Sequence, residues 1–457
     1  MRIETVNPAT GETSGAYETM APAEVVDLAA RVRAAQRAWR DVPLPERANL
    51  LVRLAATLRA RLAAHARLIT LEMGKPIVEA RAEVEKCAWL CEVCAANAEL
   101  WLREEEVAAD GRRHRVVCEP LGVILAIMPW NFPFWQAFRF AVPALLAGNG
   151  GLLKHAANVP GCARAIEAAF GEADFPADVF RSVFADHATV AELVAGELIA
   201  GVSLTGSTEA GVHIAETAGR ALKKVVLELG GSDPFIVLDD ADVEFTAREA
   251  VRGRFLNAGQ SCIAAKRFIV VAPLAAPFTT RLGELAAQLV VGDPFDESTR
   301  IGPLVSAAAR AEIAEQVADS LAAGARLVTG GQVLDRPGFY YAPTVLSGVT
   351  PAMRAAREEL FGPVAPVLVV PDEAAAIALA NATDFGLGAS VWTRDLARGE
   401  RVASRLEAGA VFVNSIVKSD PRLPFGGIKR SGLGRELSRE GLREFVNIKA
   451  LSVYDHG

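Results

Sequence analysis

From Leu121 onward, short apolar runs alternate with helix-like segments, and that alternation leaves few folds open to the chain. VILAIMP, GLLKHA, GVSLTG, KVVLEL and PFIVL read as strands, and the segments after the first three have helical spacing. A parallel sheet wrapped by helices follows from that order. A second round, RFIVVA, ARLVTG, PVLVV and AVFVN, reads as another set of strands, with the boundary between the halves near Gly230-Gly231. The first hundred residues look helical. Pro22 and Glu24 open a stretch in which Val25, Leu28, Ala29, Val32 and Trp39 recur at helical spacing. A second helix is expected from near Pro45 to Met73, stopping around Gly74, and a third after Pro76 through Val84, Ala88 and Leu90. In EEEVAADGRRHRVVCEP, Asp110-Gly111 between two short runs reads as a hairpin turn. The tail FGGIKRSGLGRELSREGL is glycine-rich and basic before one last helix. There is no internal repeat and no low-complexity tract.

Composition narrows the function classes. The chain has 457 residues, 51% of them hydrophobic, with a formal charge of −7. That length suits two or three domains at roughly 100–200 residues each. The acidic balance argues against nucleic acid as the main partner. No run of about 20 apolar residues exists, so no membrane span is expected. The start, MRIETVNPATGE, lacks the apolar core of a signal peptide, and six cysteines in so long a chain make no disulfide framework. A reducing cytoplasm is the expected location.

Several residues can carry chemistry. Cys262, in NAGQSCIAAKR, is a cysteine among small residues just before an apolar run, and Lys266 and Arg267 can favour its thiolate. The alternative is a small buried hydrophobe. Glu228 ends the apolar run of VVLELGG, where burial would raise its pKa and suit it to general-base work; it can equally pair with Lys223 or Lys224. Asn131, in IMPWNFPFW, can donate to an oxyanion together with the Cys262 N–H, or be a turn asparagine between prolines. LTGSTEAG follows a strand-like run and opens a helix, so Gly206 and Gly211 would let a pyrophosphate approach. Thr208 stands where a Rossmann fingerprint has its middle glycine, and Ser207 or Thr208 can simply cap the helix. Lys154, ending GLLK, can bond ribose hydroxyls or be a solvated strand end. Glu359 and Phe361, in REELFGPV, can hold a ribose and back a nicotinamide, or mark an ordinary junction. Cys87, Cys91 and Cys94 share one helical face; no fourth ligand of suitable spacing is near, so a core seam rather than a metal site is expected. Cys118 and Cys162 carry no readable signal.

Taken in order, PWNFP, the LLK strand end, TGSTEAG, LELGG, GQSC and EELFGPV resemble the aldehyde dehydrogenase superfamily over essentially the whole chain, and NPATGE also fits. The resemblance implies an α/β fold: a Rossmann-like cofactor domain (1–102 and 120–230), an α/β catalytic domain (231–425), and a small β oligomerisation arm with the tail (103–119 and 426–457). It implies Cys262 as nucleophile, Glu228 as general base and Asn131 as oxyanion donor. Lys154 matches the adenosine-ribose lysine, Glu359 the nicotinamide-ribose carboxylate, and Gly206, Ser207 and Gly211 the cofactor turn; Pro129, Trp130, Ala157, Leu229 and Phe361 complete the implied cofactor set. A homodimer or homotetramer is implied, and no metal.

Within the family, ILAIMPWNFPFWQAFRFAVP, SDPFIVL and LGRELS resemble the shorter succinate-semialdehyde dehydrogenases of bacteria. Arg139 lies just beyond Asn131 with Trp135 one turn earlier, and a guanidinium there can clamp a carboxylate or pair with a buried structural one. Ser419, in VKSDPRLPFGG, matches a serine that similar enzymes use, and Gln136 can assist. Succinic semialdehyde is the implied substrate. Glutarate semialdehyde competes, since one methylene changes binding by only ~1–3 kcal/mol. Ala157 neither repels nor donates to a 2′-phosphate, which leaves NAD or NADP as cofactor with a slight lean to NAD. Ala264 stands where some relatives carry a second cysteine, so no regulatory disulfide is expected. A cofactor-independent cysteine esterase or acyltransferase, or a silent structural protein on the same scaffold, are the rival functions. The cofactor motifs argue against the first and the intact Cys262 and Glu228 against the second.

Overall fold

Val25, Leu28, Ala29, Val32 and Trp39 all fall on the buried face of one helix, Pro22–Trp39. Pro22 opens it, and the Glu24 carboxylate turns back to accept from the Ala21 N–H at 2.6 Å. The computed structural model describes residues 2–455; Met1, His456 and Gly457, at the ends of the first and last expected segments, lie outside the described residues. The single helix expected from Pro45 to Met73 is two, Leu44–Ala60 and Leu62–Met73, broken at Arg61. No proline or glycine marks that break. Arg61 instead leaves helical backbone while its guanidinium meets Glu172 at 3.1 Å, a tertiary contact that spacing does not reveal. Gly74, at φ 79°, ends the second helix in the left-handed region. The helix Ile77–Leu102 then buries Cys87, Cys91 and Cys94 together with Val84, Ala88 and Leu90. The expected helical start is corrected at its first residues, where Arg2–Val6 and Thr13–Glu18 form an antiparallel hairpin.

The expected strands Gly150–His155, Val123–Met128, Gly201–Thr205 and Lys224–Glu228 lie side by side and parallel in one sheet. The near-continuous burial of the first three is what a sheet covered on both faces requires. Two short edge strands, Phe180–Ser182 and Gly432–Leu433, were not legible in the sequence. The second sheet runs Arg326–Thr329, Thr344–Ser347, Val364–Val370, Ala265–Val271, Asp233–Val237, Gly388–Trp392, Ala410–Val413, parallel except for the first. The chain passes between the sheets from Glu228 to Asp233, across Gly230-Gly231. Val446–Val453, Arg113–Pro120 and Glu105–Val107 form a separate antiparallel sheet, with Asp110-Gly111 in the loop between Glu105–Val107 and Arg113–Pro120. Because Gly432–Leu433 joins the first sheet, the tail is not solely an arm. Among the described residues no helix is long and apolar enough to cross a membrane, and no cluster of His, Cys, Asp and Glu could hold a metal.

In the first sheet the chain builds outward from Val123–Met128 in one direction and then from Gly201–Thr205 in the other. The loops after those two strands, carrying Asn131 and Gly206, therefore flank the switch point where open α/β sheets bind ligands. Cys262 sits on the loop that precedes the second-sheet strand Ala265–Val271.

That loop is backbone under constraint. Asn257, Ala258 and Gly259 occupy the left-handed region in succession, at φ 53°, 53° and 75°. For the two non-glycine residues such backbone costs about 1–3 kcal/mol each and persists only when the surroundings over-determine it. Here the Asn257 N–H donates to Glu79 at 2.8 Å, and its amide donates to the Asn131 carbonyl at 2.9 Å and to that of Gln260 at 3.1 Å. A Cβ on Gly259 would stand 2.3 Å from the Gly362 carbonyl oxygen. Gly259→Ala is expected to lower folding stability by about 1–3 kcal/mol, read as a fall in the urea midpoint; an unchanged midpoint would contradict this account of the loop.

Candidate active site

Asn131 is held from all sides. Its carbonyl oxygen accepts from Lys75 Nζ and from the Asn257 amide, both at 2.9 Å. Its side-chain oxygen accepts from Gln136 Nε2 at 3.0 Å, which fixes which end of the amide faces the Cys262 loop. Its nitrogen donates to the Gln260 carbonyl at 3.0 Å, leaving a second N–H for an oxyanion. Gln136, expected to assist substrate binding, thus spends its amide nitrogen on orienting Asn131, although it also lines the cavity.

Cys262 opens into a cavity of about 360 Å³ that Trp135, Gln136, Arg139 and Ser419 also line. The structure therefore brings the expected nucleophile and the four expected substrate residues to one space. Burial pushes the Cys262 thiol up to about 12, against the pull of Arg139 and then of Lys266. Lys266 also donates to the Cys262 carbonyl at 2.6 Å and pairs with Glu359 at 3.1 Å. Arg267 does not serve the thiol as expected: its guanidinium is spent on the Ser232, Leu379 and Ala380 carbonyls, each at 2.9 Å.

Arg139 departs from a free carboxylate clamp. Its Nε stands 2.7 Å from Glu436, and both side chains are buried. The guanidinium also lies over the Phe425 ring, 4.7 Å from its centroid. Glu228 is beside this pair rather than on the cavity wall. Burial raises its carboxyl, Glu436 raises it further, and Arg139 and Arg435 oppose the rise. Neither of its oxygens has a hydrogen-bond partner among the described residues. The lysines that might have paired with it are engaged elsewhere: Lys224 meets Glu444 at 3.1 Å and Lys223 donates to the carbonyls of Val194 and Gly196.

Most of the residues expected to hold a dinucleotide lie at or just beyond the carboxyl ends of the first-sheet strands Val123–Met128, Gly150–His155, Gly201–Thr205 and Lys224–Glu228. Ser207 caps the helix Thr208–Arg220 through the Ala210 N–H at 3.2 Å. A Cβ on Gly206 would meet only Leu204, at 3.6 Å, so the backbone is open to a ligand there. Gly211 serves packing instead, since a Cβ would stand 2.5 Å from Leu229. Lys154, next to the last residue of its strand, is half-buried with its pKa lowered by burial, and Ala157 is exposed three residues on. Glu359 accepts from the Gly231 N–H at 3.1 Å. Phe361 meets Trp130 edge to face at 5.9 Å, next to Pro129. An open backbone at a helix N-terminus, a half-buried lysine and a paired aromatic edge suit a dinucleotide.

Sequence reading missed Lys75, Glu79, Glu83, Lys86, Asn257, Gln260 and Glu436. A signal existed for some of them. Glu79, Ala82, Glu83 and Lys86 recur at helical spacing, and all line the cavity. Three charges on one face of a helix, in register with a small residue, fit a polar space beneath that face. The sequence alone does not tell that space from solvent.

Residues 1–451 match the family model for the Aldehyde dehydrogenase family. The chain is 50% identical over 454 residues to the "Probable succinate-semialdehyde dehydrogenase (NADP+)" of Synechocystis sp., covering 99% of each. It is 47% identical to the "Succinate semialdehyde dehydrogenase (NAD(P)+)" of Escherichia coli, over 98% of this chain and 96% of that one. Its structure superimposes with a TM-score of 0.97 on a succinic semialdehyde dehydrogenase from Streptococcus pyogenes in complex with NADP+, at 37% identity, covering 99% of this chain and 100% of that one.

A thiol held near 12 is protonated at neutral pH. Alkylation of Cys262 by iodoacetamide in the cofactor-free protein, followed by peptide mass mapping, should therefore accelerate ~10-fold per pH unit from about pH 7 to about pH 9. A plateau below about pH 8 would contradict the burial argument.

Proposed function

Because the chain belongs to the aldehyde dehydrogenase family, we propose that it oxidises succinic semialdehyde to succinate with NADP+ or NAD+. The observation that carries the substrate is the shared cavity: Cys262 opens into the same space as Trp135, Arg139 and Ser419. A short aldehyde with a distal carboxylate places its reacting carbon at the sulfur and its negative charge among cationic and hydroxyl groups. Relatives at 46–50% identity bear the name of that activity, which supports the same reading.

In this mechanism the Cys262 thiol first gives its proton to solvent water, and the resulting thiolate sulfur attacks the aldehyde carbon. The free N–H of Asn131, aided by the Cys262 backbone N–H, stabilises the oxyanion; one such donor is worth about 2.7–4 kcal/mol of barrier. When bound, a nicotinamide dinucleotide would supply the hydride acceptor, and the acyl group would then remain on the Cys262 sulfur as a thioester. Lys154, Gly206, Ser207, Glu359, Trp130 and Phe361 would hold that dinucleotide. Glu228 takes a proton from water, the water oxygen bonds to the acyl carbon, and the Cys262 sulfur leaves. A carboxyl whose pKa burial has raised is suited to accept that proton.

On the cofactor, the relatives weigh against the lean to NAD, since their names carry NADP+ or NAD(P)+. Exposed, small Ala157 leaves room for a 2′-phosphate, so we take NADP+ to be used at least as well as NAD+. Ile448 and Val453, exposed on the strand Val446–Val453, support a homo-oligomer formed through that arm. The chain is read as a cytoplasmic enzyme.

Turnover of succinic semialdehyde, glutarate semialdehyde and butanal with each cofactor, followed at the reduced-nicotinamide absorbance band, tests the reading, with Cys262→Ala as the inactive control. Succinic semialdehyde should give the highest kcat/KM, and NADP+ should match or exceed NAD+. Equal kcat/KM for butanal would overturn the substrate, and a strong preference for NAD+ would overturn the cofactor assignment.

A further inference from the structure

Lys86 projects from the helix Ile77–Leu102 into the cavity opposite Arg139. Among the described residues it has no carboxylate partner within ion-pair distance, whereas Arg139 is held by Glu436 at 2.7 Å. Lys86 Nζ donates to Ser419 Oγ at 2.8 Å and stands over the Trp135 ring, 4.2 Å from its centroid. The Trp135 indole N–H donates to the same Ser419 oxygen at 3.0 Å.

Those hydrogen bonds have a direction. Lysine ammonium and indole N–H are donors only, so both arrive on lone pairs of Ser419 Oγ. Its own hydrogen is then left to donate, and the hydrogens of Lys86 not used on Ser419 remain for a further acceptor. Ammonium and hydroxyl, 2.8 Å apart, offer donors to the two oxygens of one carboxylate.

We propose that Lys86, with the Ser419 hydroxyl, is the cation that receives the distal carboxylate of the aldehyde and sets selectivity for acidic substrates. This deepens the succinic semialdehyde reading and rests on it. Arg139, neutralised by Glu436 and closer in its effect to Cys262, then acts chiefly on the reacting end. Trp135 holds the serine and presents its face to the ammonium.

The free ammonium is also poised to titrate. Burial first, and then Arg139 on the facing helix, push Lys86 down to about 8, opposed by Cys87 and Glu83 on its own helix and by Asp420 on the loop beyond Ser419. Glu79, Arg252 and Lys418 complete the charged lining. Below about 8 the ammonium is charged and holds a carboxylate; above that pH the charge is lost. Selectivity for an acidic aldehyde is accordingly greatest on the acid side and declines as pH rises.

The test compares kcat/KM for succinic semialdehyde with that for butanal, its uncharged four-carbon counterpart, in wild type, Lys86→Met and Lys86→Arg. Lys86→Met should cut the ratio of the two by roughly 10–100-fold, the worth of a charged hydrogen bond, and Lys86→Arg should restore most of it. In wild type the ratio should fall as pH rises past about 8, and in Lys86→Met it should not respond. A ratio in Lys86→Met equal to that of wild type, or equal losses on both aldehydes, would overturn the role of Lys86 while leaving the substrate reading standing. A wild-type ratio near one would overturn both.

Discussion

The site depends on one buried carboxylate, Glu83. It accepts from the N–H groups of Phe134 and Trp135, at 2.9 and 3.0 Å, where the helix Pro133–Leu146 begins. The first turn of a helix leaves such groups without partners and favours negative charge. Lys75, fully buried, forms the counter-charge and carries the link onward to the Asn131 carbonyl at 2.9 Å. From that carbonyl the chain of contacts runs through Asn257 to the left-handed backbone before Cys262. Two segments far apart in sequence are thereby fixed relative to one another. Removing one member of a buried ion pair costs about 3–5 kcal/mol, because the other is left unpaired. Such a pair holds its neighbours in a single arrangement.

Charge inside the cavity is a balance rather than a field of one sign. Arg139 and Lys266 pull the Cys262 thiol toward ionisation, while burial and the nearby carboxylates oppose them, and burial wins. Arg139 also tempers Glu228 and neutralises Glu436. One guanidinium so placed acts on the Cys262 thiol, the Glu228 carboxyl and the Glu436 pair at once. Charge on a substrate is better met by a cation outside this group, and Lys86 is that cation.

Much of this was legible in the sequence because the signals were local. The strands of the first sheet announce themselves as apolar runs, and Gly230-Gly231 marks the passage between the sheets. Cys262 stood out as a cysteine among small residues, and the ordered motifs placed Asn131, Arg139 and Ser419 in one reading. What stayed hidden was set by long-range contact. Nothing local marks the helix break at Arg61, the edge strands Phe180–Ser182 and Gly432–Leu433, or the pairing of Arg139 with Glu436, nearly three hundred residues away. Arg267 shows the converse error. Nearness in sequence to Cys262 suggested an electrostatic role, yet along a strand successive side chains point to opposite faces, and its guanidinium caps backbone carbonyls instead.

The most direct measurement of the central claim is kinetic. Glu83→Gln keeps the shape and removes the charge that ties Lys75 to the helix start. Pre-organisation lost at Asn131 and Cys262 predicts a fall in kcat of ~100-fold, with the dissociation constant for NADP+ within ~2-fold of wild type and the protein still folded by circular dichroism. An unchanged kcat in the folded variant, or a parallel loss of cofactor affinity, would contradict the view that this buried pair sets the geometry of the reacting groups.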